Sequence, residues 1–89
     1  MTFEWDDKKN SENLAKHGLS FFEAQKAFFD NKRVILQDTR HSTREDRFFC
    51  IGDTGIGIAT VRFTIRNGII RIYGAGYWRK GKRIYETSH

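Results

Sequence analysis

The dipeptide Asn67-Gly68 constrains this chain more than any other feature. It separates two β-rich runs, Ile58–Arg66 and residues 69–73, and both of its residues accept the positive φ of a two-residue hairpin turn. A turn that short predicts the register. Arg66 opposes Ile69, Ile65 opposes Ile70, Thr64 opposes Arg71, Phe63 opposes Ile72 and Arg62 opposes Tyr73. Val61, Phe63, Ile65, Ile70 and Ile72 then share one face, the expected core face. Arg62, Thr64, Arg66, Arg71 and Tyr73 share the other, with no acid among them. A slip of one residue would bury three arginines, so the register is strongly specified.

The remaining segments supply partners for that hairpin. Residues 2–5 alternate as a short first strand. Asp6 or Asp7 is the expected N-cap of a helix reaching His17, where Gly18 provides a left-handed stop. Ser20 and Glu23 fit a capping box for a second helix over residues 21–29, with Phe21, Ala24, Gln25 and Phe28 at helical spacing. Residues 33–37 and 47–52 are β-rich, and the polar stretch 38–46 between them reads as a loop. From Tyr77 a terminal helix follows, in which Gly81 costs about 1 kcal/mol against alanine. The order β-α-α-β-β-β-β-α predicts one α+β domain over residues 1–89. Two N-terminal helices and a C-terminal helix surround a small antiparallel sheet, with the helices on one face.

Charge is unevenly spread. The chain carries 16 Lys and Arg against 11 Asp and Glu, a formal net charge of +5. Residues 62–89 hold seven bases and the single acid Glu86, a net +6, while the first 61 residues carry −1. A cationic C-terminal third points to a polyanionic partner. On the hairpin, guanidinium forks match phosphate oxygens and a phenol ring can stack on a base. In the tail, Arg79, Lys80, Lys82 and Arg83 interleave with Tyr77, Trp78 and Tyr85, a pattern suited to single-stranded nucleic acid. A solvated face and an amphipathic helix that covers the core are the structural alternatives for the two segments.

The first helix places Asn10, Asn13, Leu14 and His17 on one face. Read structurally, this polar face pins the helix to the sheet and the following loop. Read functionally, Lys16 and His17 project from the helix end toward a cleft, where an imidazole exchanges protons near neutral pH. Other chemistries are excluded. There is no Walker loop or dinucleotide fingerprint, and Gly74-x-Gly76 alone is too weak a signal. His17, His41 and His89 lack metal-ligand spacing, so neither a metal nor a cofactor is expected. Cys50, the single cysteine, sits in an apolar run and is expected to be buried and inert. It rules out an intrachain disulfide framework and fits a reducing, cytoplasmic setting. No apolar run approaches the ~20 residues of a membrane span, and the N-terminus lacks a signal-peptide layout, so no membrane partner is expected.

Glu4-Trp5-Asp6, Lys9-Asn10, Asn13, Lys16-His17-Gly18, Ser20-Phe21 and Glu23-Ala24 together resemble the BrnT family, toxins of a type II toxin–antitoxin class. The resemblance continues through His41-Ser42, Glu45, Arg47, Ile51-Gly52, Thr64, Arg66, Arg71-Ile72, Arg83 and Tyr85-Glu86. It implies a RelE-like fold, ribonuclease activity that blocks translation, and a neutralising BrnA-type antitoxin that binds DNA. A homodimer and a toxin–antitoxin heterotetramer are the assemblies compatible with it. Where the family's last strand usually reads Arg-Ile-Ile-Ser-Ala-Arg, this chain reads Arg71-Ile72-Tyr73-Gly74-Ala75-Gly76. Arg79 is the nearby candidate to replace the missing charge.

The expectation is therefore a metal-independent endoribonuclease in which the RNA 2′-hydroxyl attacks the adjacent phosphate. Arg66 and Arg71 are the candidates for stabilising the developing charge, and Lys16 and His17 for proton transfer. Arg62, Thr64, Tyr73, Arg79, Lys80, Lys82 and Arg83 are the candidates for holding RNA. The competing reading is a catalytically weak or inactive module that binds RNA or protein on the same fold.

Overall fold

A computed structural model describes residues 1–89. The elements run β1 (Phe3–Glu4), α1 (Asp7–His17), α2 (Phe21–Ala24), a 3₁₀ segment (Gln25–Phe29), β2 (Val34–Gln37), a short 3₁₀ turn (Thr39–His41), β3 (Arg47–Asp53), β4 (Ile58–Arg66), β5 (Ile69–Gly76) and α3 (Arg79–Thr87). They form a five-stranded sheet ordered β1-β5-β4-β3-β2 within an α+β domain. Every pairing is antiparallel except that of β1 with β5, which is parallel.

The hairpin turns where expected, with Asn67 at φ 53° and Gly68 at φ 76°. Its register is as expected from Arg66↔Ile69 to Phe63↔Ile72. There the pairing shifts: Arg62 faces Gly74 rather than Tyr73, and Tyr73 becomes the extra residue of a β-bulge. A two-residue turn dictates register only until an inserted residue resets it. The strand also runs on to Gly76, beyond the expected end at Tyr73.

Cys50, Ala59, Val61, Phe63, Ile72 and Ala75 form the sheet's share of the core. Leu19, Phe21, Ala24, Ala27 and Phe28 cover them. Phe28 meets Phe63 edge-on at 5.0 Å between ring centroids, and Phe48 stacks on Phe63 at 5.4 Å. Ile65, expected in the core, is 54% exposed because it belongs to the hairpin tip. Cys50 is buried, and desolvation pushes its thiol pKa up to about 12.

The second helix tightens after Ala24 into the 3₁₀ segment, so one α-helix over residues 21–29 is corrected. Its deepest residues, Phe21, Ala24 and Ala27, are spaced by three, which matches three residues per turn. Ala27 therefore faces the core where Gln25 was expected. The segment lies so close to β3 that a Cβ at Gly52 would collide with the Ala27 carbonyl oxygen.

In α1 the Asp6 carboxylate accepts from the Lys8 and Lys9 amides at 2.8 and 3.1 Å, and Gly18 closes the helix at φ 68°. The polar face pins the helix, as its structural reading requires. Asn10 Oδ1 accepts from the Phe21 amide at 2.8 Å. Asn13 Nδ2 donates to the Leu19 and Ala75 carbonyls at 2.8 and 2.9 Å, and its Oδ1 accepts from the Ala75 amide at 3.2 Å. Asn13 thus serves β5 as a strand partner beyond the reach of β1. Leu14 takes no part and is half exposed.

The expectation that all helices share one face is also corrected: α3 covers the opposite side. A Cβ at Gly81 would collide with the Thr60 hydroxyl, which fixes α3 directly on β4. Gly81 is therefore a contact requirement that outweighs its helix-propensity cost. At the far end, Tyr85 donates to Asp30 Oδ2 at 2.5 Å and ties α3 back to the chain before β2. No helix is long and apolar enough to cross a membrane.

Candidate functional site

The bulge and the two glycines after it shape a polar depression beside α1. Gly74 leaves room for Arg62, since a Cβ there would lie 2.8 Å from Nε and from one terminal nitrogen of that guanidinium. Gly76 does the same for Trp78, whose indole would be met at 2.5–2.8 Å. The Arg62 guanidinium therefore lies across the strand, 5.6 Å from the ring centroids of both Tyr73 and Trp78. Asn13 draws α1 to the β5 edge, which sets Lys9, Glu12, Lys16 and His17 along one rim of this cleft of about 230 Å³. Arg62 and Tyr73 complete its lining. The His17 ring meets the Trp78 indole edge-on at 5.3 Å between centroids.

Two buried polar atoms of this cleft have no hydrogen-bond partner: Arg62 Nε and the Tyr73 hydroxyl. An unmet buried donor costs about 1–3 kcal/mol. Each atom is shielded from solvent, so an acceptor would recover that cost only where the side chain shifts to expose it. Burial pushes the Tyr73 phenol pKa up, against the opposing pull of the Arg47 and Arg62 guanidiniums. The phenol is accordingly a hydrogen donor at neutral pH. The Arg47 guanidinium lies 4.6 Å from the centroid of the Tyr73 ring, inside cation–π range.

The structure divides the residues that sequence grouped. Lys16, His17, Arg62 and Tyr73 converge on the cleft. Arg66 instead forms a two-pronged pair with Glu45, from Nε and one terminal nitrogen at 3.0 and 3.1 Å. Arg71 pairs with Glu4 at 2.7 Å. The expectation of a face without acids is thus corrected, because distant segments bring carboxylates to two of its three arginines. The Arg66 guanidinium in turn holds the Glu45 carboxyl below its ordinary range. Thr64 is buried, and its hydroxyl donates to the Asp46 carbonyl at 2.6 Å.

Arg79, Lys80, Lys82 and Arg83 are exposed on α3. Lys80 edges an apolar groove of about 420 Å³ between α3 and the sheet, whose lining includes Leu36, Phe49, Ile51, Trp78 and Ile84. Arg79 and Lys82 border a separate hollow beside Tyr77 and Ile56. Sequence reasoning missed Lys9 and Arg47. Lys9 sits one helical turn from Asn13, a signal that was present. Arg47 opens the apolar strand β3, and only its pairing with Thr64 brings it over Tyr73.

A family model described as "Ribonuclease toxin, BrnT, of type II toxin-antitoxin system" matches residues 5–81 of the chain. No curated protein matches it.

Proposed function

From the premise that the chain belongs to the BrnT family of ribonuclease toxins of type II toxin–antitoxin systems, we propose that it cleaves RNA in the cleft between α1 and the bulged part of β5. The observation that carries this reading is the pair of unpartnered buried groups, Arg62 Nε and the Tyr73 hydroxyl, at a cleft rimmed by Lys9, Lys16 and His17. Three fixed cations against the single carboxylate Glu12 suit a phosphodiester.

In the proposed reaction His17 takes the proton of a ribose 2′-hydroxyl. O2′ attacks phosphorus while the bond to O5′ breaks, and the Tyr73 phenol supplies the proton that O5′ gains. The products are a 2′,3′-cyclic phosphate and a 5′-hydroxyl. A proton then passes from the imidazolium through water to the phenolate, which resets both groups. Arg62 and Lys16 meet the extra charge on the phosphoryl oxygens, so no metal is needed for it. Trp78 offers a ring face for a neighbouring base. Arg66 and Arg71, the charge-stabilising candidates from sequence, act at the outer end of the sheet, where each already holds a carboxylate. The basic residues of α3 guide the RNA backbone. A BrnA-type antitoxin silences the protein by covering this cationic side, and the buried thiol of Cys50 suits work in the reducing cytoplasm.

Expression of the chain alone tests this reading. Growth arrest with fragmentation of transcripts is expected, and co-expression of the cognate antitoxin should relieve both. Normal growth and intact transcripts at confirmed soluble expression would favour a binding module without cleavage.

A further inference from the structure

A second basic hollow, of about 430 Å³, lies beside the cleft and is lined by polar residues throughout. Arg40, His41 and Arg44 come from the 38–46 loop, Glu45 and Arg47 from its end, and Arg66 from the hairpin. The loop that presents these groups is tied at its neck. The Asp38 amide donates to the Arg47 carbonyl at 2.7 Å. The Ser42 hydroxyl donates to the Asp38 carbonyl at 2.6 Å and accepts from the Arg47 amide at 3.0 Å. Thr64 holds the Asp46 carbonyl from the neighbouring strand. The backbone is thus anchored while Arg40 and Arg44 stay exposed and form no ion pair.

Arg47 lines the hollow and touches Tyr73 of the cleft. It lies over the Tyr73 ring at the cleft, and one of its terminal nitrogens is 3.8 Å from Glu45 in the hollow. Glu45 also takes the two-pronged grip of Arg66, the arrangement that a guanidinium fork makes with a phosphate. The carboxylate occupies, from within the chain, a position that suits a phosphate's oxygens. Four arginines around one carboxylate leave the hollow with unspent positive charge.

We propose that this hollow is a second phosphate subsite, built by Arg40, Arg44, Arg47 and Arg66, which takes the backbone phosphate of a nucleotide flanking the cleaved one, with Glu45 as the internal counterion that the phosphate displaces. The inference rests on the cleft being the RNA-cleaving site, and it gives the RNA a path from α1 across Tyr73 to the 38–46 loop. It also gives Arg66 a role, as a ligand of the flanking phosphate.

The test uses 2′-O-methyl RNA, which lacks the attacking hydroxyl and so binds without being cut. A dinucleotide with one phosphate and a hexanucleotide are titrated over a salt series against the wild type and three variants: Arg40→Ala with Arg44→Ala, Glu45→Gln, and Arg62→Ala. The double variant should bind the hexanucleotide more weakly and flatten its slope of log K against log salt by about 0.7 for each phosphate that it no longer neutralises. The dinucleotide, seated in the cleft, should keep its affinity. Glu45→Gln should tighten the hexanucleotide and steepen its slope. Arg62→Ala should weaken both ligands. An unchanged hexanucleotide slope in the double variant, with both ligands weakened by Arg62→Ala, would overturn the second subsite and leave the cleft standing. No effect of Arg62→Ala on either ligand would remove the cleft and, with it, the subsite that flanks it. A double variant that loses the antitoxin but keeps the hexanucleotide would assign the loop to protein binding instead and overturn the proposal.

Discussion

Arg62 differs from the other arginines of its face in having no carboxylate partner, and its Nε is buried without an acceptor. If it meets the charge of the transition state, Arg62→Ala should lower the single-turnover cleavage rate by about 10²–10³-fold, the usual effect of deleting one preorganised donor. Arg71→Ala should cost far less, because Arg71 already holds Glu4. Gly74→Ser tests the same point from the backbone side. Its Cβ would lie 2.8 Å from the Arg62 guanidinium and displace it, so cleavage should fall while the circular dichroism spectrum stays native. Equal losses in Arg71→Ala and Arg62→Ala would contradict the assignment. Sequence showed three arginines on one face but not which were free, since Glu4 and Glu45 lie 67 and 21 residues from their partners. The glycines that interrupt the family's usual strand read as missing function; in the structure they are the space that Arg62 and Trp78 occupy.

Elements were more legible than the packing between them. The Asn-Gly turn, the Asp6 and Ser20 caps and the Gly18 stop are local chemistry, and each appears where expected. The bulge at Tyr73 and the crossing of α3 to the other face depend on close approaches at Gly74, Gly76 and Gly81, which no periodicity reports. Phe63 lies between Phe28 and Phe48, so Phe63→Ala should cost about 3–5 kcal/mol in denaturant unfolding. The clasp between α3 and Asp30 is sensitive to pH at both extremes. The hydrogen bond to Asp30 pushes the Tyr85 phenol pKa up to about 12. Its stabilisation is complete below the ordinary value of 10.0 and is lost as pH rises through about 12. For Asp30, desolvation raises the carboxyl pKa, but hydrogen bonds from Tyr85 and the Asp53 and Lys32 amides outweigh it and hold the carboxyl below 3.8. That contribution is present above 3.8 and is lost as pH falls through the depressed value. Tyr85→Phe should therefore lower Tm at pH 7, and the gap from wild type should close above pH 12. A gap that persists there would mean that packing of the ring, not the hydroxyl, holds α3.

On the scale of the whole molecule, positive charge gathers at the cleft, in the 38–46 loop and on the exposed face of α3. RNA affinity should therefore fall with salt, and charge reversal at both Arg79 and Lys80 should flatten the slope by about 1.4 units for two phosphates. An unchanged slope would take α3 off the RNA path. The excess of positive charge in residues 62–89 was visible in the sequence, but the addition of Lys9, Lys16 and Arg47 to it follows only from the fold. If this protein cleaves RNA through the ribose 2′-hydroxyl in its own cleft, the cut requires that oxygen. The most direct test incubates purified protein with an RNA oligonucleotide and with the same oligonucleotide carrying a single 2′-deoxy sugar at the mapped cut. A 2′,3′-cyclic phosphate and a 5′-hydroxyl are expected from the first, no cut at that position in the second, and both products at a rate lower by about 10²–10³-fold in Arg62→Ala. Cleavage that survives the 2′-deoxy substitution, or that is undiminished in Arg62→Ala, would contradict this mechanism.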